Sequence, residues 1–260
     1  FLSDQVRPVD RAVIYPKGFL RNAEVDFVIL SVRDIIRHAP RETYLRHTLE
    51  ELRRRNLSTI NLRNNPLAPI LARVVAHIFG DGSLILAKDV GRVIFRGTEP
   101  DLEDIRKDLR TLGFEPEGIR SERHEVEIVD AGGRVRRFIG EGKSFEVRSK
   151  PLAILLKALG TPVGDKVKGG YHIPKWIKHA PRYIQKEFLA SYFGCELTKP
   201  ALRKNHGTEF REPVFKISKI ASKAEAGKRL AGELETLLEA FGVSVTNISA
   251  SPGNIRKDGS

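Results

Sequence analysis

Methionine is absent from the 260 residues, and cysteine and tryptophan occur once each, at Cys195 and Trp176. A single cysteine excludes an internal disulfide and any cysteine-built zinc site. With no redox or triad pattern around it, Cys195 reads as a small packing residue. No apolar run is long enough to span a bilayer and no secretory leader is visible. The expected location is therefore intracellular, cytoplasm or nucleoid, with no membrane partner. With no methionine and Phe1 at the start, the native start is expected to be missing or trimmed. Acidic residues are also short, 33 Asp and Glu against 45 Lys and Arg, a net charge of +12. Such a surplus favours a polyanionic partner, although a generally basic surface would give the same count.

What the chain does have is one pattern twice. Val74-Val75-Ala76-His77-Ile78-Phe79-Gly80-Asp81-Gly82-Ser83 and Leu189-Ala190-Ser191-Tyr192-Phe193-Gly194-Cys195-Glu196 each read as the end of an apolar helix stopping on one carboxylate. Small residues lie four apart in both, Ala76 with Gly80 and Ser191 with Cys195, and so share a helical face. Small faces let helix backbones approach closely. If the two helices pair, Asp81 and Glu196 arrive side by side. Two charges at 4 Å repel by about 4 kcal/mol at an effective dielectric of 20, so the pair needs a shared proton or a divalent cation. In a basic protein the cation reading fits better, with a phosphate ester as third party. The plain alternative is an Asp-Gly turn after a core helix and a solvated helix end.

These residues resemble the paired motifs of single-chain LAGLIDADG homing endonucleases. The first copy ends Gly80-Asp81-Gly82-Ser83, a common form of the motif. The second ends on Glu196, with Leu197 where glycine is usual, and Ile173-Pro174-Lys175-Trp176-Ile177 with Phe188-Leu189 resembles the family's lead-in. The likeness covers residues 66–250. It implies a site-specific endonuclease cutting both strands of duplex DNA, with Mg²⁺ (or Mn²⁺ or Ca²⁺) held by Asp81 and Glu196 and by the carbonyls of Gly80 and Cys195. It also implies a basic residue near each half-site; Lys150 and Arg148 are the first-half candidates for this catalytic shell. An inactive nucleic-acid-binding module on the same fold, an intron RNA maturase or a DNA-binding regulator, is the alternative.

The expected fold is α+β: two pseudo-symmetric repeats, each an antiparallel sheet covered by helices on one side, acting as a monomer. Residues 1–65 form a partly helical N-terminal extension, 66–165 the first repeat and 171–260 a second, incomplete one. Ser31 is expected to cap a helix, and a basic helix from Pro40 to Asn56 is either an ordinary solvated face or a phosphate-gripping arm. In the first repeat, strands are expected at Leu84–Leu86, Arg92–Arg96, His124–Val129, Val135–Ile139 and Phe145–Arg148, with a hairpin turn at Asp130–Gly133. Val93 and Phe95 should face the helices, and Arg92 and Arg96 the open face. In the second, strands are expected at Val214–Ser218 and Val243–Ile248, with Ser222 capping a helix to Phe241. Gly164–Gly170 reads as an inter-repeat linker. Groove-facing candidates are Lys88, Arg92, Arg96, Arg134, Arg136, Arg203, Lys204, Lys216 and Ser218.

Overall fold

The computed structural model describes residues 28–39, 42–62, 65–129, 134–198, 201–203, 206–251 and 255–256. Pro8, Pro16, Gly18, the Asp130–Gly133 turn and Lys204 lie outside the described residues.

The chain opens with β1 (Val28–Leu30), α1 (Val32–His38), α2 (Glu42–Arg54) and β2 (Ile60–Asn61). Ser31 caps α1 in a reciprocal box: its hydroxyl accepts from the Asp34 amide, and its own amide donates to Asp34 Oδ2 at 2.9 Å. That satisfies two otherwise orphaned donors. β1 pairs antiparallel with β2. Leu30, Ile35, Leu52 and Leu57 are fully buried in the same core as the motif helices. Three arginines at the basic face of α2 pair within their own segment: Arg46 with Glu50, and Arg54 and Arg55 with Glu51. The described part of the extension packs on the Lys150–Ala158 helix of the first half.

α3 (Leu67–Phe79) is followed by β3 (Ser83–Leu86), β4 (Gly91–Gly97), α4 (Glu99–Thr111), β5 (Arg120–Val129), β6 (Val135–Arg148) and α5 (Lys150–Ala158). The antiparallel sheet runs β3-β4-β6-β5, with β9 (Ile255–Arg256) on its outer edge. Helices α3, α4 and α5 cover one face. Val93, Phe95, Phe145 and Val147 point into that cover and are buried, with Phe95 stacked on Phe145 at 4.9 Å between centroids. Ser149 caps α5 by accepting from the Leu152 amide at 3.2 Å. Thr98 precedes α4, but its hydroxyl donates to Asp101 and accepts no backbone amide.

The expected break between Val135–Ile139 and Phe145–Arg148 does not occur. β6 runs 14 residues without interruption, because Gly140 and Gly142 stay in the ladder opposite His124 and Glu122 of β5. A neighbouring strand supplies hydrogen bonds that override the weak strand propensity of glycine.

α6 (Lys175–His179) leads into α7 (Arg182–Glu196), then β7 (Leu202–Arg203), β8 (His206–Phe210), a 3-10 turn at Ala221–Lys223, and α8 (Ala224–Glu239). The sheet expected here from Val214–Ser218 and Val243–Ile248 does not form; among the described residues the second half carries a two-stranded antiparallel sheet instead, β7 with β8, Leu202 opposite Phe210 and Arg203 opposite His206. Val214–Ser218 meets the end of α7 through the Leu197–Phe215 bridge and the Thr198 amide donating to the Val214 carbonyl at 3.0 Å, and Val243–Ile248 forms no strand. The expected alternation does survive, with Phe215 and Ile217 packed on the core and Lys216 and Ser218 exposed. Ser222 lies in the 3-10 turn, and Lys223 holds the cap position of α8 with no side-chain bond. The C-terminal strand β9 joins the first half's sheet at Ile128 and Val129. The architecture is α+β with antiparallel sheets; a sheet-and-helix layer matching the first half is not present among the described residues of the second.

Candidate active site at the paired helix ends

The two motif helices lie against each other along their small faces. Ser191 Oγ donates to the Arg73 carbonyl at 2.9 Å. Arg73 reaches across to Glu187 Oε2 at 2.9 Å and sideways to Asp108 of α4 at 2.6 Å. Those two carboxylates hold its guanidinium in the charged form more firmly than usual. Phe79 packs edge-on against Phe188 and Tyr192, with centroids 5.7 and 5.9 Å apart. At the tips the Gly80 backbone packs on the Cys195 side chain: a Cβ built on Gly80 would lie 2.9 Å from Cys195 Sγ and closer still to its Cβ.

This contact delivers Asp81 and Glu196 to one place. Asp81 is open to solvent on one side, Glu196 half-buried. Loss of hydration raises both pKa values, and the repulsion from Asp81 lifts Glu196 further. Cys195 stands between them with its thiol pushed up to about 12, by burial first and the two carboxylates next. At that value it is a neutral packing group at physiological pH, as its sequence context indicates. His77 is buried beside it. Its Nε2 lies 2.9 Å from the Arg96 carbonyl, an acceptor only, so Nε2 carries the proton and Nδ1 faces Cys195 Sγ at 3.8 Å. Burial lowers the His77 pKa, which keeps the ring neutral.

The charge of Lys166 acts on both carboxylates, opposing the rise in their pKa values. Its ammonium donates to the carbonyls of Ile78 and Phe79, at 3.0 and 3.1 Å, and to that of Gly80. These are the last carbonyls of α3, where a helix end carries partial negative charge. Burial lowers the Lys166 pKa, and attraction to Glu196 and Asp81 opposes that shift. The loop carrying Lys166 is fastened by Lys219, which donates to the Gly169 carbonyl at 2.8 Å and to that of Lys166. The Lys219 ammonium also sits 3.9 Å over the Tyr171 ring. Burial first, then repulsion from Lys166, brings its pKa down to about 8. Neither lysine is distinguishable in the sequence from other loop lysines. The only available signal for Lys166 is its glycine-flanked polar loop, which reads as a linker.

The other sequence candidates lie elsewhere. Arg148 and Lys150 sit at the Gly91 end of the sheet: Arg148 is opposite Arg92, and a Cβ on Gly91 would lie 2.5 Å from Lys150 Cα. Gly91 pairs with Leu86, three residues along β3 from Ser83, or roughly 10 Å by the strand rise. Arg148 pairs with Glu146 and Glu117, and Lys150 lies over the Tyr44 ring. The structure therefore does not bring this pair to the carboxylates. Arg96 lies nearer: it bonds Ser83 Oγ at 3.2 Å, and its charge opposes the rise that burial causes in the Asp81 pKa. Lys88 is exposed in the β3–β4 turn. Arg134 and Arg136 are exposed and share by register the face of β6 that carries Ser144, Glu146 and Arg148. Arg203 lies in β7, with its side chain outside the description.

Among the described residues, no group of three or more His, Cys, Asp or Glu side chains forms a ready metal cage. The donors gathered here are two carboxylates and backbone carbonyls. Such a hard-oxygen set suits a magnesium ion that keeps several waters and borrows phosphate oxygens from its substrate. No described helix is long and apolar enough to cross a membrane.

No family model matches the chain. It is similar to DNA-directed RNA polymerase subunit Rpo1N of Methanocaldococcus jannaschii, 44% identical over 253 residues, covering 96% of this chain and 18% of that protein. It is also similar to the replication factor C small subunit of the same organism, 35% identical over 137 residues, covering 53% of this chain and 7% of that protein. The tRNA-splicing ligase RtcB of Methanopyrus kandleri is 29% identical over 248 residues, covering 93% of this chain and 23% of that protein. The chain spans less than a quarter of the length of each of these relatives. Among solved structures, the homing endonuclease I-WcaI bound to its DNA recognition sequence aligns with 80% of this chain and 79% of its own, at 13% identity and a TM-score of 0.36.

Proposed function

We propose that the chain is a metal-dependent, site-specific DNA endonuclease of the LAGLIDADG kind, carried as a segment within larger host proteins. The observation that carries this reading is the meeting of Asp81 and Glu196 at two packed helix ends, with the Lys166 charge acting on both. A divalent cation bound here, Mg²⁺ or a substitute such as Mn²⁺ or Ca²⁺, would supply positive charge for the developing oxyanion and lower the pKa of a bound water. Asp81 and Glu196, with the Cys195 carbonyl and, once the Lys166 ammonium moves off it, the Gly80 carbonyl, are the residues that would hold it. Lys166 would add positive charge beside the phosphate as a water oxygen bonds to phosphorus, giving its proton to solvent, and the bond to the 3′ oxygen breaks, that oxygen taking a proton from solvent. The products are a 5′ phosphate and a 3′ hydroxyl. His77 and Arg73 keep the two helices in register. Lys219 holds the loop that presents Lys166.

The open face of the sheet is the proposed duplex-binding surface. β6 extends 14 residues, roughly 46 Å at the usual strand rise and comparable to the length of about 13 base pairs. Lys88, Arg92, Arg96, Arg134 and Arg136 lie on or beside that face, and Arg203, Lys204, Lys216 and Ser218 are the second-half candidates. Mobility of the coding segment is supported by the company it keeps. Matching segments occur in a polymerase subunit, a replication factor and an RNA ligase, and account for a small part of each. A segment shared among proteins of such different names is read most simply as an insertion with its own activity, of the intein kind. The test is to incubate the protein with Mg²⁺ and a randomised duplex library and to sequence the cut ends. Enrichment of one long motif spanning a double-strand break is expected. Selective binding of duplex or intron RNA with no cut ends would favour the binding-module alternative.

A further inference from the structure

Glu146 is fully buried although its side chain points to the open face of the sheet, away from the helices that bury its neighbours Phe145 and Val147. What covers it is a roof of arginines. Arg148 Nε bonds Oε1 at 2.6 Å, while Arg92 Nε and Arg120 Nη2 lie 3.0 and 3.5 Å from Oε2. Oε2 has no partner in hydrogen-bond geometry. The covering side chains keep 68%, 39% and 48% of their surface exposed, so each still presents donors outward. Two more carboxylates complete the cluster. Glu122 accepts from Ser144 Oγ at 2.6 Å and lies 3.4 Å from Arg120 Nε and 4.0 Å from Arg96 Nε; Glu117 pairs with Arg148. Four guanidiniums against three carboxylates leave one net positive charge.

We propose that Glu146 is a positioning residue that holds Arg92, Arg120 and Arg148 as a preordered, nearly neutral array for reading base edges in duplex DNA. It rests on the reading of the sheet as a DNA-binding face. A guanidinium fixed from behind by a carboxylate keeps a free edge, and bidentate contact with guanine needs that edge in a set orientation. Neutralisation also weakens the counterion-release term that drives sequence-independent binding. Glu146 therefore trades general affinity for discrimination, and this separates its role from a packing role. Loss of a purely structural residue weakens all DNA binding together. Loss of this carboxylate frees three arginines and adds a positive charge, so general binding strengthens while discrimination falls.

The test compares wild type with Glu146→Gln in EDTA, so that nothing is cut. The probes are a 30-base-pair duplex selected by the wild type from a random library and a scrambled duplex of the same composition. For the variant, the expected results are about three- to tenfold tighter binding of the scrambled duplex, a log–log salt slope steeper by about 1, and at least tenfold less discrimination. Unchanged discrimination, or a proportional loss on both duplexes, would overturn the proposal while leaving the DNA-binding reading intact. If the wild type prefers no duplex sequence at all, both fail. A second measurement needs no variant. Side-chain Nε–H signals of Arg92, Arg120 and Arg148 in the free wild type should show restricted motion, and freely mobile guanidiniums would overturn the assignment.

Discussion

Gly80 and Cys195 meet where their helices end, with no room for a side chain on the glycine. The backbone of Gly80 is at φ −81°, so the requirement is space and not a special conformation. Replacing Gly80 with alanine forces the helix ends apart, and overpacking of this kind costs about 1–3 kcal/mol. Gly194, one residue before Cys195, has nothing within 4 Å of a built Cβ and lies inside α7. There alanine should stabilise by roughly 0.5–1 kcal/mol through helix propensity. Denaturant melts of the two variants check this contrast; equal effects would contradict the close approach.

The carboxylate pair should lower the stability of the metal-free protein. Asp81 and Glu196 have folded-state pKa values above those of the unfolded chain. The folded state therefore binds their protons more tightly, and stability falls as pH rises from the unfolded values through the folded ones. At neutral pH, Glu196→Gln and Asp81→Asn should each raise Tm, by about 2–4 °C if the relief is near 1 kcal/mol. Calorimetry between pH 4 and 7.5 checks the sign, and variants melting below wild type at pH 7.5 would contradict it. Added Mg²⁺ should raise the wild-type Tm more than that of either variant.

Two lysines should titrate early. Lys219 is expected near 8, with Lys166 also below the ordinary lysine range. For a base, a depressed folded pKa makes stability rise with pH, here between about 8 and the unfolded value near 10.4. NMR titration of isotopically labelled lysine side chains checks both positions. Lys219→Met should abolish the signal near pH 8 and loosen the 165–170 loop, seen as faster amide exchange at Val167 and Lys168. Unchanged exchange would contradict the fastening role.

The parts of this architecture legible in the sequence are those with a local period. The motif helices, β3 and β4 announce themselves through helical or alternating apolar spacing, and α1 through Ser31 as its cap. The inward Val93 and Phe95 and outward Arg92 and Arg96 follow from alternation alone. The meeting of Ala76-Gly80 with Ser191-Cys195 follows from matched small-residue spacing. What escapes is set at long range. Lys166 reaches carbonyls 86 to 88 residues away from a loop with no period. Gly140 and Gly142 remain in β6 because β5 holds them. The acids on the open face carry no sequence signal, because Glu122 and Glu146 look like ordinary strand residues until their arginines are placed around them. In the second half, Val214–Ser218 keeps its alternation without a partner strand to complete a ladder.

The central claim is that two acids, one from each helix end, form a single metal-dependent cutting centre. Its most direct test is duplex cleavage with Mg²⁺ by wild type, Asp81→Asn and Glu196→Gln, on the target selected by the wild type, with binding measured in parallel. Both variants should bind the target within about threefold of wild type and cut at least one strand 10²-fold or more slowly, the order expected when a transition-state group is removed. Undiminished cutting of both strands by either variant would contradict the account.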